Sequence, residues 1–169
     1  MFEKFIPQPF LSALNKINFK QLNEIRFRAF KPVIVYLGGM AYFLSENGIS
    51  TNLQDALICD KESLEEVVFR ASECSIYAVN EQIKNGFLTV GGGCRIGLGG
   101  TAVFENDKLK TIKNFVSLNI RVPHLVKDCS LLAFKHIVEN RRLNNTLIIS
   151  PPGAGKTTFL KDFVSQLSQ

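Results

Sequence analysis

The chain has 169 residues, room for one ordinary domain or for a small domain and part of a second. Hydrophobic residues at 46% against 21% charged exclude a disordered chain, and no apolar run approaches the ~20 residues of a membrane span. A net charge of +5 permits contact with nucleic acid, anionic lipid or nucleotide and selects none of them. The opening MFEKFIPQPF places an acid and two prolines where a secretory leader needs an apolar core, so the expected location is cytoplasmic. Cys59, Cys74, Cys94 and Cys129 are dispersed, with no C-x-x-C pair, and read as free thiols of a reducing compartment.

Residues 9–15 form a short predicted helix, with proline tolerated in its first turn. In LNEIRFRA, residues 22–29, Ile25 and Phe27 alternate with Glu24, Arg26 and Arg28, the period of a half-buried strand. Lys31-Pro32 interrupts it, residues 33–37 read as a second strand, Gly38-Gly39 as a turn, and residues 41–44 as a third strand closing a hairpin. From Asp60 the period changes. Leu64, Val67, Val68 and Ala71 fall at i, i+3, i+4 and i+7, and Ser63 with Glu66 has the spacing of a capping box, so a helix is predicted. A second helix is predicted over 76–84, stopped by Asn85-Gly86. Strand signals return at 87–90, 95–98, 101–104 and 110–120, with residues 105–108 as a hairpin tip. Residues 1–123 thus read as an α+β domain whose segments pair mainly by hairpins.

After Pro123 the character changes. Residues 126–138 have a helical period, Arg141 and Arg142 suit the negative end of that helix, and Asn144-Asn145 reads as a turn. TLIIS, residues 146–150, is an uninterrupted apolar run of the kind a buried parallel strand shows. The expected boundary falls near Pro123, and residues 124–169 read as the start of a second domain.

SPPGAGKTT, residues 150–158, matches G-x-x-x-x-G-K-[ST] in every fixed place except the first, where Ser150 stands. Gly153 and Gly155 allow the backbone a positive φ, so that successive N–H groups, that of Ala154 among them, converge on phosphate oxygens. Lys156 supplies a point charge between the β- and γ-phosphates, Thr157 a hydroxyl for Mg²⁺, and Thr158 a further N–H at the positive end of a helix. Phe159, Leu160, Phe163, Val164 and Leu167 give that helix an apolar face. The order strand, loop, helix makes this a strong phosphate-binding signal for ATP with Mg²⁺.

GGGCRIGLGG, residues 91–100, fails G-x-G-x-x-G in every register and is followed by strand signals, so it reads as two glycine-rich strand turns. Arg95 inside it and Arg121 in LNIRVP each sit on a predicted strand among apolar neighbours. Each is either a solvated or salt-bridged strand residue or a phosphate-sensing arginine. Lys108, Lys110 and Lys113 read as a solvated strand edge.

Several stretches line up together: EIRFR followed by KPV, SIYAVNEQIKNGFLTV, GGCRIGLGGTAV, SLNIRVP and NTLIISPPGAGKTTFLKD. In that order, and over nearly the whole chain, they resemble the stage III sporulation protein AA family. That family pattern has His where Cys94 stands and Gly where Asp128 stands. The resemblance implies a divergent branch of the hexameric type II and type IV secretion ATPases. It implies an α+β N-terminal domain followed by the first helix, strand, phosphate loop and helix of a RecA-like α/β P-loop domain, incomplete here for want of an acidic strand end. By motif, Arg121 and then Arg95 are the positions expected to reach nucleotide phosphates as catalytic arginines beside Lys156.

The implied protein is a cytoplasmic motor subunit peripheral to the membrane, working as a homo-oligomeric ring, a hexamer. Its implied partners are other stage III sporulation channel proteins between mother cell and forespore, with no nucleic acid expected. Whether this chain is itself an enzyme is left open, and without the acidic strand hydrolysis is not expected of it. The alternatives are a nucleic-acid motor, weakly supported by the basic charge, and a non-enzymatic docking domain.

Overall fold

The alternation at residues 22–28 becomes the centre of an antiparallel sheet, because its apolar side chains can all be buried on one face. The computed structural model describes residues 2–124, 126–139 and 142–168. Two compact units make up the chain, Met1–Pro123 and His124–Gln169. Together they are a mixed α/β protein. Among the described residues no helix is long and apolar enough to cross a membrane.

In the first unit a short helix α1 (Phe10–Leu14) precedes β1 (Leu22–Arg28), β2 (Lys31–Pro32), β3 (Ile34–Leu37), β4 (Met40–Ser45), β5 (Gly48–Ser50) and β6 (Ile58–Cys59). Helices α2 (Lys61–Ala71) and α3 (Asn80–Lys84) follow, then β7 (Phe87–Val90), β8 (Cys94–Glu105) and β9 (Lys108–Arg121). Seven strands form one sheet in the order β5-β4-β3-β1-β9-β8-β7, every neighbour antiparallel. Two hairpin ladders are thus joined where β1 lies beside β9. Val35, Ile25, Ile120, Ile96 and Leu88 form one cross-strand row, and each is essentially inaccessible to water. Burial of each is worth about 1.5–3 kcal/mol, which fixes the register, since a one-residue slip would expose the row. The core over this face comes from Phe10, Ala13 and Leu14 of α1, Leu64, Val67 and Val68 of α2 and Ile83 of α3. Phe10 meets Phe27 edge-on at 5.3 Å. The opposite face carries Glu24, Arg26, Arg95 and Arg121.

Several expectations change on this unit. Lys31-Pro32 does not merely interrupt, but pairs with β6 in a separate two-stranded ribbon. The cap of α2 is Asp60, whose carboxylate accepts the Ser63 N–H at 2.7 Å, whereas Ser63 itself is buried inside the first turn. The helix predicted over 76–84 is confined to α3. Glu73 and Cys74 take left-handed φ of 52° and 62°, which stops any continuation of α2, and residues 76–79 run as turns closed by bonds such as Val79 N–H to Ile76 O at 3.3 Å. Gly99 and Gly100 do not make a turn either. They lie inside β8 at a β-bulge, where the ladder shifts register between Gly99 and Thr101. The hairpin tip falls as expected: Asn106 and Asp107 have φ of 50° and 60°, the pair of left-handed residues a tight two-residue loop needs.

The second unit contains α4 (Leu131–Ile137), a two-residue hairpin β10 (Val138–Glu139) with β11 (Arg142–Leu143), and α5 (Lys156–Leu167). Helix α4 starts five residues later than its period suggests, because Asp128 is left-handed at φ 65° and cannot be helical. Arg141 lies outside the described residues. Arg142 sits in β11 opposite Glu139, so the basic residues at the end of α4 are instead Lys135 and His136. Residues 146–150 form no strand, contrary to expectation. Leu147 and Ile149 are 81% and 82% exposed, since no segment of this unit offers them a ladder among the described residues. Helix α5 forms as its period suggests but buries Asp162 and Phe163, leaving Leu160, Val164 and Leu167 exposed.

Candidate functional site

The loop before α5 is shaped by its glycines. Gly153 and Gly155 have φ of 80° and 88°, and a Cβ built on either would meet nothing within 4 Å. That combination is what a backbone needs to let a bulky anion approach. Gly155 is the N-cap of α5, so Lys156, Thr157 and Thr158 occupy the first turn, whose N–H groups have no acceptor within the helix. The turn is closed by Ala154 N–H donating to Pro151 O at 3.3 Å and Phe159 N–H to Gly155 O at 2.9 Å. Twelve aligned peptide dipoles add positive potential at this end.

Lys156 folds back across the loop. Its ammonium donates to Ser150 O at 2.7 Å, Pro151 O at 3.0 Å and Ser150 Oγ at 3.1 Å. Those oxygens hold the cation over the loop and are the acceptors a phosphate would replace. Ser150, at the place of the usual first glycine, thereby contributes both a carbonyl and a hydroxyl to positioning Lys156. The Thr157 side chain is exposed, and Thr158 is half-buried. The donor set fits a polyphosphate. For Mg²⁺ the loop offers the Thr157 hydroxyl, and among the described residues no group of three or more acidic, His or Cys side chains is placed to hold a metal ion.

A feature the sequence reading missed lies further along α5. The buried carboxylate of Asp162 accepts the N–H of Asp128 at 3.0 Å, the N–H of Ser130 at 2.8 Å and the Ser130 hydroxyl at 2.6 Å. The Ser130 hydroxyl bond is the largest of the interactions that hold its carboxyl below the usual aspartate range. Gln166 donates to Asp128 Oδ1 at 3.3 Å. One face of α5 thus clamps the turn that opens α4. The available signal was a lone acid on an apolar helix face.

The two arginines belong to the first unit, and the fold brings them side by side: Arg95 on β8 is the register partner of Arg121 on β9. Arg95 lies over the Phe87 ring at 4.4 Å. Arg121, with 73% of its side chain exposed, has its Nε 3.7 Å from Glu24 Oε2. Glu24 also accepts from Arg26 Nε, while Arg26 donates to the Tyr36 hydroxyl at 2.8 Å and stacks on its ring. The sheet face is therefore a row of cations ordered by one mostly buried carboxylate. Beneath it, Cys94 Sγ contacts Arg121 O at 3.1 Å, and burial pushes that thiol up to about 11.

A family model described as "Sporulation stage III, protein AA" matches residues 10–169. Stage III sporulation protein AA of Bacillus subtilis (strain 168) is 32% identical over 160 residues, covering 93% of this chain and 48% of that protein. The chain thus spans about half the length of that curated relative. Among solved structures, the pilus retraction motor PilT with bound ADP is 17% identical with a TM-score of 0.46, covering 88% of this chain and 40% of the other. The VirB11 ATPase of the Brucella suis type IV secretion system, in complex with sulphate, is 15% identical with a TM-score of 0.43, covering 99% and 45%. At TM-scores below one half these likenesses carry no fold assignment.

Proposed function

The chain belongs to the sporulation stage III, protein AA family, and from that premise we propose that it binds ATP at the loop before α5 as part of a motor ATPase. The observation that carries this reading is the loop itself: two left-handed glycines with open space above them and Lys156 held over the first turn of α5. The loop N–H groups would hold the phosphates, Lys156 would exchange the Ser150 and Pro151 oxygens for phosphate oxygens, and the Thr157 hydroxyl would hold Mg²⁺. ATP supplies the free energy of its terminal phosphoanhydride when bound. Arg121, and beside it Arg95, are the arginines we infer would supply positive charge to the γ-phosphate when copies assemble in a hexameric ring. The work driven is channel assembly or transport between mother cell and forespore, with other stage III sporulation proteins as partners, at the cytoplasmic face of the membrane.

Titration of the 169-residue protein with ATP and Mg²⁺ by calorimetry tests the reading. Lys156→Ala is expected to weaken binding at least about tenfold, or about 1.4 kcal/mol, while leaving the melting temperature unchanged, since its bonds are local to an exposed loop. Equal affinity of the wild-type and Lys156→Ala proteins would refute the assignment of this loop.

A further inference from the structure

We propose that the groove between α2, the turns at 75–79 and the outer half of β9 docks an amphipathic helix of a partner protein, acidic along one flank and basic along the other. The groove has a volume of about 950 Å³ and lies wholly within the first unit. A helix about 10 Å across fills that volume with roughly two turns. Its walls are apolar where they meet water: Phe69 is 47% exposed, Ile76 39% and Tyr77 96%, with Ile112 and Phe115 at the base. Exposed apolar residues scattered singly need no account, but these converge on one concavity.

The alternative occupant of a groove beside a strand is another strand. Strand β1 pairs with β9 only from Ser117 to Arg121, so residues 108–115 are laddered on the β8 side alone. Yet that edge is built against strand addition. Lys110 falls in a register shift, Asn114 takes a left-handed φ of 47° at a second one, and Asn80 Nδ2 already donates to Lys110 O at 3.4 Å. Residues 111–113 are all that stays straight, flanked by lysines, and bulges and lysines are the devices that block edge pairing. A helix needs no ladder. It seats apolar side chains one turn apart into the pockets between Phe69, Ile76 and Tyr77.

The rims carry opposite charge. On α2, Glu66 is bound to Arg70, and on β9 Lys110 is bound to Glu105. Glu65 and Lys113, both exposed, form no ion pair among the described residues, so they are the charges an incoming helix meets. Complementarity across the groove therefore selects a helix with acids facing Lys113 and bases facing Glu65.

The test uses a synthetic fourteen-residue helical peptide with leucines at i, i+3, i+4 and i+7, glutamates on one flank and lysines on the other. Binding to the 169-residue protein is read by fluorescence anisotropy. Glu65→Lys and Lys113→Glu are each expected to weaken it about three- to tenfold, and the double swap to restore it, because the helix then lies in the reverse direction. Tyr77→Ala, on a nearly fully exposed side chain, is expected to weaken it about tenfold without changing the melting temperature. Binding insensitive to all three single variants overturns the proposal. So does tighter binding of an extended peptide of the same composition, which would make the groove a strand acceptor. Self-association of the protein that Tyr77→Ala abolishes would make the occupant a second copy and equally overturn it.

Discussion

Gly100 should tolerate no side chain, although it is exposed and its φ lies outside the left-handed region. A Cβ at Gly100 would stand 2.6 Å from Lys113 O, 3.0 Å from Ile112 Cγ2 and 3.2 Å from Asn114 O. The nearest of these is backbone in the partner strand, so relief requires β8 and β9 to separate at the bulge. Overpacking of this kind costs about 1–3 kcal/mol. The first unit has the length Met1–Pro123, so at about 2.1 cal/mol/K per residue its unfolding entropy is about 0.26 kcal/mol/K. A loss of about 2 kcal/mol then lowers Tm by about 8 °C. Gly97, three residues earlier on the same strand, is the internal control. A Cβ there meets Asn119 Cβ and Asn119 O at 3.8 Å, ordinary contact, and alanine restricts the unfolded chain, so Gly97→Ala is expected to be neutral or stabilising by up to about 1 kcal/mol. Thermal unfolding of both variants by circular dichroism decides the matter. Equal melting temperatures would mean that the Lys113 carbonyl moves at no cost and that the bulge is soft.

Three further outcomes are expected. Asp60→Ala removes the α2 cap and should cost about 1 kcal/mol near neutral pH. The bonds from Ser63 hold the Asp60 carboxyl below its usual value, so this contribution is complete above the unfolded value of ~3.9. It is lost as pH falls through the lower folded value, and the two melting temperatures should converge once the pH is below it. Burial pushes the Cys59 thiol up to about 12, and Cys94 is buried as well; a thiol reagent at about pH 8 should label Cys74 and Cys129 and reach Cys59 and Cys94 only on unfolding. Labelling of Cys59 at the rate of Cys74 would contradict the buried assignment. In a protein of the family's full length, Arg121→Ala should lower ATP turnover by about 10³ or more while nucleotide affinity stays within about tenfold. Unchanged turnover would leave Arg121 as no more than the ion-pair partner of Glu24.

What could be read from the sequence was what short segments decide for themselves. Ile25 and Phe27 alternate with charged residues, and the burial of β1 alternates with them, because a sheet with one dry face imposes that period directly. Leu64, Val67 and Val68 turned inward on α2 for the equivalent reason at helical period. Where meaning depended on a second segment, the reading failed. Gly99 and Gly100 looked like turns because glycine's local freedom is visible in a sequence, whereas the Lys113 carbonyl that excludes a Cβ is not. Residues 146–150 have the composition of a buried strand, yet a strand exists only with a neighbour to hydrogen-bond, and composition cannot supply one. Tyr77 was counted into a helix, but residues 76–79 run as i→i+3 turns, which helical periodicity does not distinguish from a helix.

Asp162 accounts for two further departures from the sequence reading, the late start of α4 and the face that α5 buries. An aspartate at the sixth position after Lys156 looks like a solvated residue on an amphipathic helix, and on that assumption the dry face of α5 should run through Phe159, Leu160, Phe163, Val164 and Leu167, of which Phe163 is buried. With the carboxylate instead accepting two N–H groups and one hydroxyl from the turn at 128–130, the helix buries Asp162 together with Phe163 and leaves Leu160, Val164 and Leu167 exposed. The same bonds stabilise Asp128 in a left-handed conformation that a non-glycine residue otherwise disfavours, and they satisfy the Asp128 and Ser130 N–H groups in the turn that precedes α4. The late start of α4 and the unexpected face of α5 are therefore one event. A buried anion is stable only where enough donors converge on it, and the chain bends two elements to provide them.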